Sequence, residues 1–240
     1  MHSIQIHPAI LSTWLCELFP PGAVTAELRG LGNPDALFPD EARYVQKAVR
    51  KRVEQFAAGR VCARLLLHEF GIDNFPIEVG KDRQPLWPEA LVGSITHTTG
   101  FCAAVAARKT SLNSVGIDTE IAGSVKPKLW RSICTPTETA WLHSLPTPEQ
   151  LAAATLIFSA KEAFYKCQFT VTQERLGFHD VSVELPAWDE KRGAFRIVAN
   201  RRIELESAAA LPLQGRYLFH EQFITAGIAV VSTPCRRETL

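Results

Sequence analysis

The stretch Ser114-Val115-Gly116-Ile117-Asp118-Thr119-Glu120-Ile121 alternates in the manner of a β-strand. Val115, Ile117 and Ile121 point to one face, toward a core, and Gly116, Asp118 and Glu120 point to the other. Two carboxylates on one strand face stand about 7 Å apart at their Cα atoms, and in a partly buried site each opposes the other's ionisation. A hard divalent cation removes that conflict. Mg²⁺ is held by one or two carboxylates and keeps positions for water and phosphate, and Gly116 leaves space beside such an ion. A solvated strand face is the alternative reading of the same triplet.

C-terminal to this strand, Ala122-Gly123-Ser124 and Pro127 mark a boundary between two halves, at 1–122 and 123–240. A helix opens at Thr135-Pro136-Thr137-Glu138, with Thr135 as N-cap, Pro136 at N1 and Glu138 completing a capping box. A longer, Ala-rich helix runs from Thr147 to Phe169, and Leu151, Thr155, Phe158, Glu162, Tyr165 and Phe169 fall on one stripe of it. Glu162 interrupts an aromatic face, where a carboxylate needs a partner, a proton or a metal. Lys166, one turn on, offers a simple ion pair. Lys161 adds a second cation beside the carboxylate, as a phosphate site requires. Strands follow at Val181–Leu185, Ala194–Val198, Arg216–Phe219 and Ile224–Val231.

On the N-terminal side, Pro39–Phe70 has helical spacing, with Gly71 as its C-cap. Arg52 and Arg60 lie eight residues apart on that helix, slightly over two turns, so their guanidinium forks can converge on one anion. Arg83-Gln84-Pro85-Leu86-Trp87-Pro88 forms a rigid turn carrying an aromatic. Val92–Thr98 and Phe101–Ala107 read as strands joined at Thr99-Gly100, with His97 near the end of the first. Each half thus offers a long helix and several antiparallel strands, an α+β architecture.

Composition narrows the function classes. Of the 240 residues, 46% are hydrophobic and 21% charged, which is the usage of a folded chain. A net charge of +1 argues against a nucleic-acid or anionic-membrane partner. No apolar run approaches the roughly 20 residues of a membrane span, and the N-terminus lacks a basic signal-peptide region. The six cysteines are scattered without a C-x-x-C pair, which predicts reduced, buried thiols; the cytoplasm is the default address, and a monomer is the expected state.

Five motifs in order resemble those of Sfp-type 4′-phosphopantetheinyl transferases. They are residues 50–60 (Arg-Lys-Arg-Val-Glu-Gln-Phe-Ala-Ala-Gly-Arg), 80–88 (Gly-Lys-Asp-Arg-Gln-Pro-Leu-Trp-Pro), 93–97 (Gly-Ser-Ile-Thr-His), 116–120 (Gly-Ile-Asp-Thr-Glu) and 158–166 (Phe-Ser-Ala-Lys-Glu-Ala-Phe-Tyr-Lys). Together they look most like the enterobactin-synthase component D branch. The resemblance implies two similar subdomains, each a long helix on a small antiparallel sheet, with the active site in the cleft between them. It implies transfer of the 4′-phosphopantetheine arm of coenzyme A to a serine of an apo peptidyl or acyl carrier protein, with 3′,5′-ADP released. Non-ribosomal peptide or siderophore synthesis is favoured, with fatty-acid and polyketide carriers left open.

The same resemblance implies residue roles. Asp118, Glu120 and Glu162 would hold Mg²⁺, with Glu162, or a water, as the base for the incoming serine. Lys161 would meet the pyrophosphate. Arg52, Arg60 and His97 would bind the 3′-phosphate, and Arg83 or Lys81, with Gln84 and Pro85, the adenine end. Thr96, where many members have serine, and Lys166 complete the coenzyme-contacting set. Two rival readings compete: a metal-dependent nuclease, disfavoured because Lys161 precedes Glu162 instead of following it by two residues, and a catalytically silent binder of coenzyme A or carrier protein, disfavoured because all three acidic positions are present.

Overall fold

A computed structural model describes residues 8–189, 191–203 and 213–232. In chain order the elements are β1 (Ile10–Leu11), β2 (Ala23–Arg29), α1 (Pro39–Ala42), α2 (Arg50–Glu69), β3 (Leu91–Thr98), β4 (Phe101–Arg108) and β5 (Leu112–Ile121). They continue with α3 (Pro127–Ile133), α4 (Pro136–Ser144), α5 (Thr147–Thr172), β6 (Val181–Glu184), β7 (Arg192–Ala199), β8 (Leu213–His220) and β9 (Phe223–Val231). The strands form two antiparallel sheets, ordered β1-β2-β4-β3 and β5-β9-β8-β7-β6. The α+β expectation holds, and each sheet carries one long helix, α2 on the first and α5 on the second.

One expectation about extent is corrected. The helix expected over Pro39–Phe70 is divided into α1, a 3₁₀ turn at Arg43–Val45, and α2. Strand β5, read with the N-terminal half, pairs along its length with β9 in the second sheet. More than 100 residues separate those partners, so the local pattern identifies β5 as a strand without revealing its sheet. Strands β1 and β2, which the sequence reading did not include, complete the first sheet.

The capping box at the start of α4 is present. Thr135 Oγ1 accepts from the Glu138 amide at 3.3 Å, and Glu138 Oε2 accepts from the Thr135 amide at 2.6 Å. The five described cysteines are unpaired, four of them buried, while Cys235 lies outside the described residues. Among the described residues, no helix is long and apolar enough to cross a membrane.

The halves are held together in two ways. Val115 and Ile117 of β5 share a core with Phe101 and Val105 of β4 and with Leu15, Leu18 and Phe223, so separating the halves would expose apolar surface. Strands β3 and β5 also run alongside each other, joined by hydroxyls in place of a backbone ladder. Ser94 Oγ accepts from the Ile117 amide at 3.2 Å, and Thr96 Oγ1 accepts from the Thr119 amide at 2.9 Å. A sheet edge that would otherwise leave buried amides unpaired is thereby satisfied by side chains.

Candidate active site

Gly116 decides how closely α5 approaches β5. A Cβ at this position would collide with the backbone of α5 at Ala163 and come within 2.9 Å of the Cys167 nitrogen. The space expected beside a metal is therefore occupied by the helix backbone, and a side chain at 116 would push strand and helix apart. Ser159 Oγ adds a bond to the Asp118 carbonyl at 2.9 Å. These contacts bring Asp118 and Glu120 on the strand next to Glu162 and Lys166 on the helix.

Asp118 is 5% exposed, and its two carboxylate oxygens have different surroundings. Oδ1 accepts from Lys166 Nζ at 2.7 Å and from Thr96 Oγ1 at 3.2 Å, while Oδ2 is buried without a hydrogen-bond partner. Lys166 Nζ also donates to the Ile117 carbonyl at 3.0 Å. Burial pushes the Glu120 carboxyl up to about 7, with Asp118 reinforcing, Lys166 opposing and Glu162 adding to the rise. Burial also raises Glu162, against Lys166 and with Asp118. The cluster thus holds more negative charge than one lysine neutralises.

An orphaned buried oxygen and hard oxygen donors that suppress one another's ionisation fit a divalent cation of the Mg²⁺ type. Among the described residues, no three acidic, histidine or cysteine side chains are drawn into a closed ligand set as they stand. Lys166 holds Asp118 Oδ1 instead.

Lys161 does not face this cluster, which corrects its expected place at the pyrophosphate. Its ammonium is 2% exposed and donates to Glu138 Oε2 at 2.7 Å, the Phe178 carbonyl at 2.8 Å and the Ile133 carbonyl at 2.9 Å. Three N–H donors meet three acceptors, so none remains for a phosphate. The physical reason lies in the helix: adjacent residues diverge by about 100°, so Lys161 falls on the buried stripe with Ala154, Ile157, Phe164 and Gln168. The cation that reaches the carboxylates is Lys166.

Arg52, Arg60, Arg83, Pro85 and His97, five of the residues expected at the nucleotide, line a cavity of about 430 Å³ together with Tyr44 and Phe56, among others. Arg52 Nη1 donates to His97 Nε2 at 2.6 Å. That nitrogen is therefore an acceptor on a neutral ring, in keeping with a His97 pKa lowered by burial, then by Arg52 and Lys166. Arg60 is 6% exposed, with its guanidinium carbon 4.0 Å from the Phe56 ring centroid and its Nε donating to the Ile77 carbonyl at 2.8 Å. Burial lowers its pKa to about 10, which leaves it cationic at neutral pH.

Arg83, at φ 68° in the turn, lines both this cavity and a second groove of about 430 Å³, while Lys81 lines neither. Gln84 is engaged within its own turn, its Oε1 accepting from the Asp82 amide at 3.0 Å. The second groove runs between residues 82–87 and β3 on one side and Glu162, Tyr165, Lys166 and Phe169 on the other. A third cavity of about 350 Å³ is bordered by Lys161, Glu162, Tyr165, Arg175, Leu176 and Phe178, among others, with the Lys161 ammonium turned to its three buried acceptors. Arg83 and Pro85 thus border both the basic cavity and the groove beside the acidic cluster, and Glu162 and Tyr165 border both that groove and the third cavity.

Sequence reasoning missed Glu138 as the partner of Lys161, Ser94 and Ser159 as the hydroxyls that fix β5, and Trp87 as packing. The Trp87 indole lies across Gly93, where any Cβ would strike its ring. A cation on an otherwise buried helix stripe was a readable signal for the first of these.

Two family models match the chain. The 4′-phosphopantetheinyl transferase N-terminal domain matches residues 40–107, and the 4′-phosphopantetheinyl transferase superfamily matches residues 114–218. The interval between the two matches falls between β4 and β5. The 4′-phosphopantetheinyl transferase Npt of Nocardia iowensis is 33% identical over 218 residues, covering 88% of this chain and 97% of the relative. The 4′-phosphopantetheinyl transferase PptT of Mycobacterium tuberculosis is 32% identical over 195 residues, 80% and 85% of the two chains. Enterobactin synthase component D of Escherichia coli K12 is 34% identical over 160 residues, 66% and 73%.

Proposed function

The chain belongs to the 4′-phosphopantetheinyl transferase superfamily, and from that membership we propose how its residues divide the reaction. It transfers the 4′-phosphopantetheine arm of coenzyme A to a serine hydroxyl of an apo carrier protein and releases 3′,5′-ADP. Arg52, Arg60 and His97 bind the 3′-phosphate, and Arg83 with Pro85 borders the adenine. Asp118, Glu120 and Glu162 would hold Mg²⁺, and Lys166 would reach the pyrophosphate. The observation that carries this arrangement is the buried, unpartnered Asp118 Oδ2 among carboxylates whose protons are held too tightly for an isolated surface cluster.

A divalent ion held by Asp118, Glu120 and Glu162 would supply positive charge to the diphosphate oxygens. Glu162 accepts the serine proton as the serine oxygen forms its bond to the β-phosphorus, and the bond from that phosphorus to the bridging oxygen breaks. Burial raises the Glu162 pKa and Lys166 opposes that rise, and a bound cation together with Lys166 would keep the carboxylate ionised to accept the proton. Lys166, one helical turn from Glu162, supplies positive charge on the same face. No covalent bond to the enzyme is needed.

The relatives include enterobactin synthase component D, and a peptidyl carrier of non-ribosomal peptide or siderophore synthesis is the substrate we assign. The deciding experiment incubates the protein with coenzyme A, Mg²⁺ and a panel of apo peptidyl and acyl carriers and records intact masses. Gain of one phosphopantetheine, fastest on a peptidyl carrier and abolished by EDTA, is the expected result. Transfer that survives complete chelation would remove the metal assignment. Preference for an acyl carrier would move the pathway.

A further inference from the structure

Two hydrogen-bonded hubs meet behind the site. The Glu138 carboxylate accepts from the Thr135 amide at 2.6 Å, the Val183 amide at 2.6 Å and Lys161 Nζ at 2.7 Å. Lys161 Nζ in turn holds the carbonyls of Ile133 and Phe178. One ion pair therefore ties the end of α3, the N-terminus of α4, the middle of α5, the 3₁₀ turn at Phe178–Asp180 and strand β6. Both side chains are nearly inaccessible, Glu138 at 3% and Lys161 at 2%. Burial lowers the Lys161 pKa, with Glu138 opposing.

This placement bears on the chemistry because Lys161 and Ala163 bracket Glu162. On one flank Ala163 is pressed against Gly116, which fixes how close α5 lies to β5. On the other, the three bonds of Lys161 fix the rotation of α5 about its axis. Between them Glu162 is held on the face of α5 where its charge is felt by Asp118 and Glu120 and where it borders both the groove and the adjoining cavity. The Phe178 carbonyl held by Lys161 also anchors the residue whose ring packs 5.6 Å from Phe158 and which borders that cavity with Glu162.

We propose that Glu138, acting through Lys161, is a positioning residue for the transfer: the buried pair aims Glu162 and holds the floor of the adjoining cavity, and Lys161 touches no phosphate. The proposal rests on the reading of Glu162 as the proton acceptor given above. A displacement near 1 Å at a reacting group can cost about 100-fold in rate, so the pair acts on turnover and leaves coenzyme A affinity alone.

The test compares Glu138→Gln, Lys161→Met and the double variant, which leaves no unpaired buried charge and so keeps a folded protein if a single variant fails. Expected are kcat values about 100-fold lower with coenzyme A dissociation constants, by calorimetry, within about threefold of wild type. A coenzyme A affinity more than about tenfold weaker in Lys161→Met but intact in Glu138→Gln would make Lys161 a phosphate ligand and overturn the proposal. Wild-type kcat in the folded variants would overturn it as well. Reductive methylation of the wild-type protein, read by peptide mass, is independent of variant folding and of turnover. Lys161 should stay unlabelled with or without coenzyme A, and labelling that coenzyme A suppresses would refute its burial. Absence of any transfer by the wild type would instead sink the functional reading, with the labelling result still standing.

Discussion

Thr96 Oγ1 donates to Asp118 Oδ1 at 3.2 Å and accepts from the Thr119 amide at 2.9 Å, so one hydroxyl of the first sheet both orients a carboxylate of the second and closes the seam between them. Thr96→Val keeps the shape and removes both bonds. The Thr119 amide, in a residue with no exposure, would lose its partner, at a cost of about 1–3 kcal/mol. Loss of a group that orients a metal-binding carboxylate lowers metal affinity or activity by roughly 10- to 100-fold. Urea unfolding and Mg²⁺ titration of activity should show both effects in Thr96→Val and neither in Thr96→Ser. A valine variant with wild-type Mg²⁺ dependence would reduce Thr96 to a structural hydroxyl.

Gly116 makes a sharper demand, because what a side chain would strike is backbone, which has no alternative rotamer. Gly116→Ala should destabilise by about 1–3 kcal/mol or more, as overpacking does, and should separate Glu162 from Asp118. The denaturation midpoint and kcat should fall together. An alanine variant of native stability would mean that α5 can move outward freely, and the close approach would not be what assembles the site.

These two contacts mark where the sequence is readable and where it stops. The alternation of Ser114–Ile121, the long helix after Thr147 and the capping box at Thr135–Glu138 are set by neighbours within a few residues, and each appears as expected. Pairing of β5 with β9 depends on a chain segment more than 100 residues away, and nothing in the local pattern specifies it. The same limit explains Gly116, whose missing side chain reads equally as room for an ion or for a helix until the helix is placed. Lys161 was different. Its stripe of Ala154, Ile157, Phe164 and Gln168 is as visible in the sequence as the aromatic stripe that drew attention to Glu162. The argument that a buried charge requires a partner leads from it to an acidic residue such as Glu138.

At the other end of the cleft, Arg52 and His97 share a 2.6 Å hydrogen bond beside Arg60 and Arg83. Arg52→Ala should weaken coenzyme A by the worth of a charge-assisted bond, about 1.5–3 kcal/mol, or roughly ten- to a hundredfold. Dephospho-coenzyme A, which lacks the 3′-phosphate, should be affected little. Calorimetric titration of both ligands decides the matter, since equal losses would place Arg52 elsewhere on the nucleotide.

The acidic cluster sets a direction for pH and metal together. In the folded protein the Glu120 carboxyl lies at about 7, above the 4.5 of the free group, and Glu162 is shifted the same way. Between those values the folded state keeps a proton that the unfolded chain releases. Stability without divalent metal should therefore fall as pH rises through that window, with the whole penalty present above about 7 and none below about 4.5. A cation that binds the ionised carboxylates removes the penalty only where they are ionised. The rise in melting temperature on adding Mg²⁺ should consequently be large at about pH 8 and small at about pH 5. Thermal unfolding of chelator-treated protein with and without Mg²⁺ at both pH values measures it. Equal shifts at the two values would mean that the ion binds away from Glu120 and Glu162, and the three carboxylates would need another purpose.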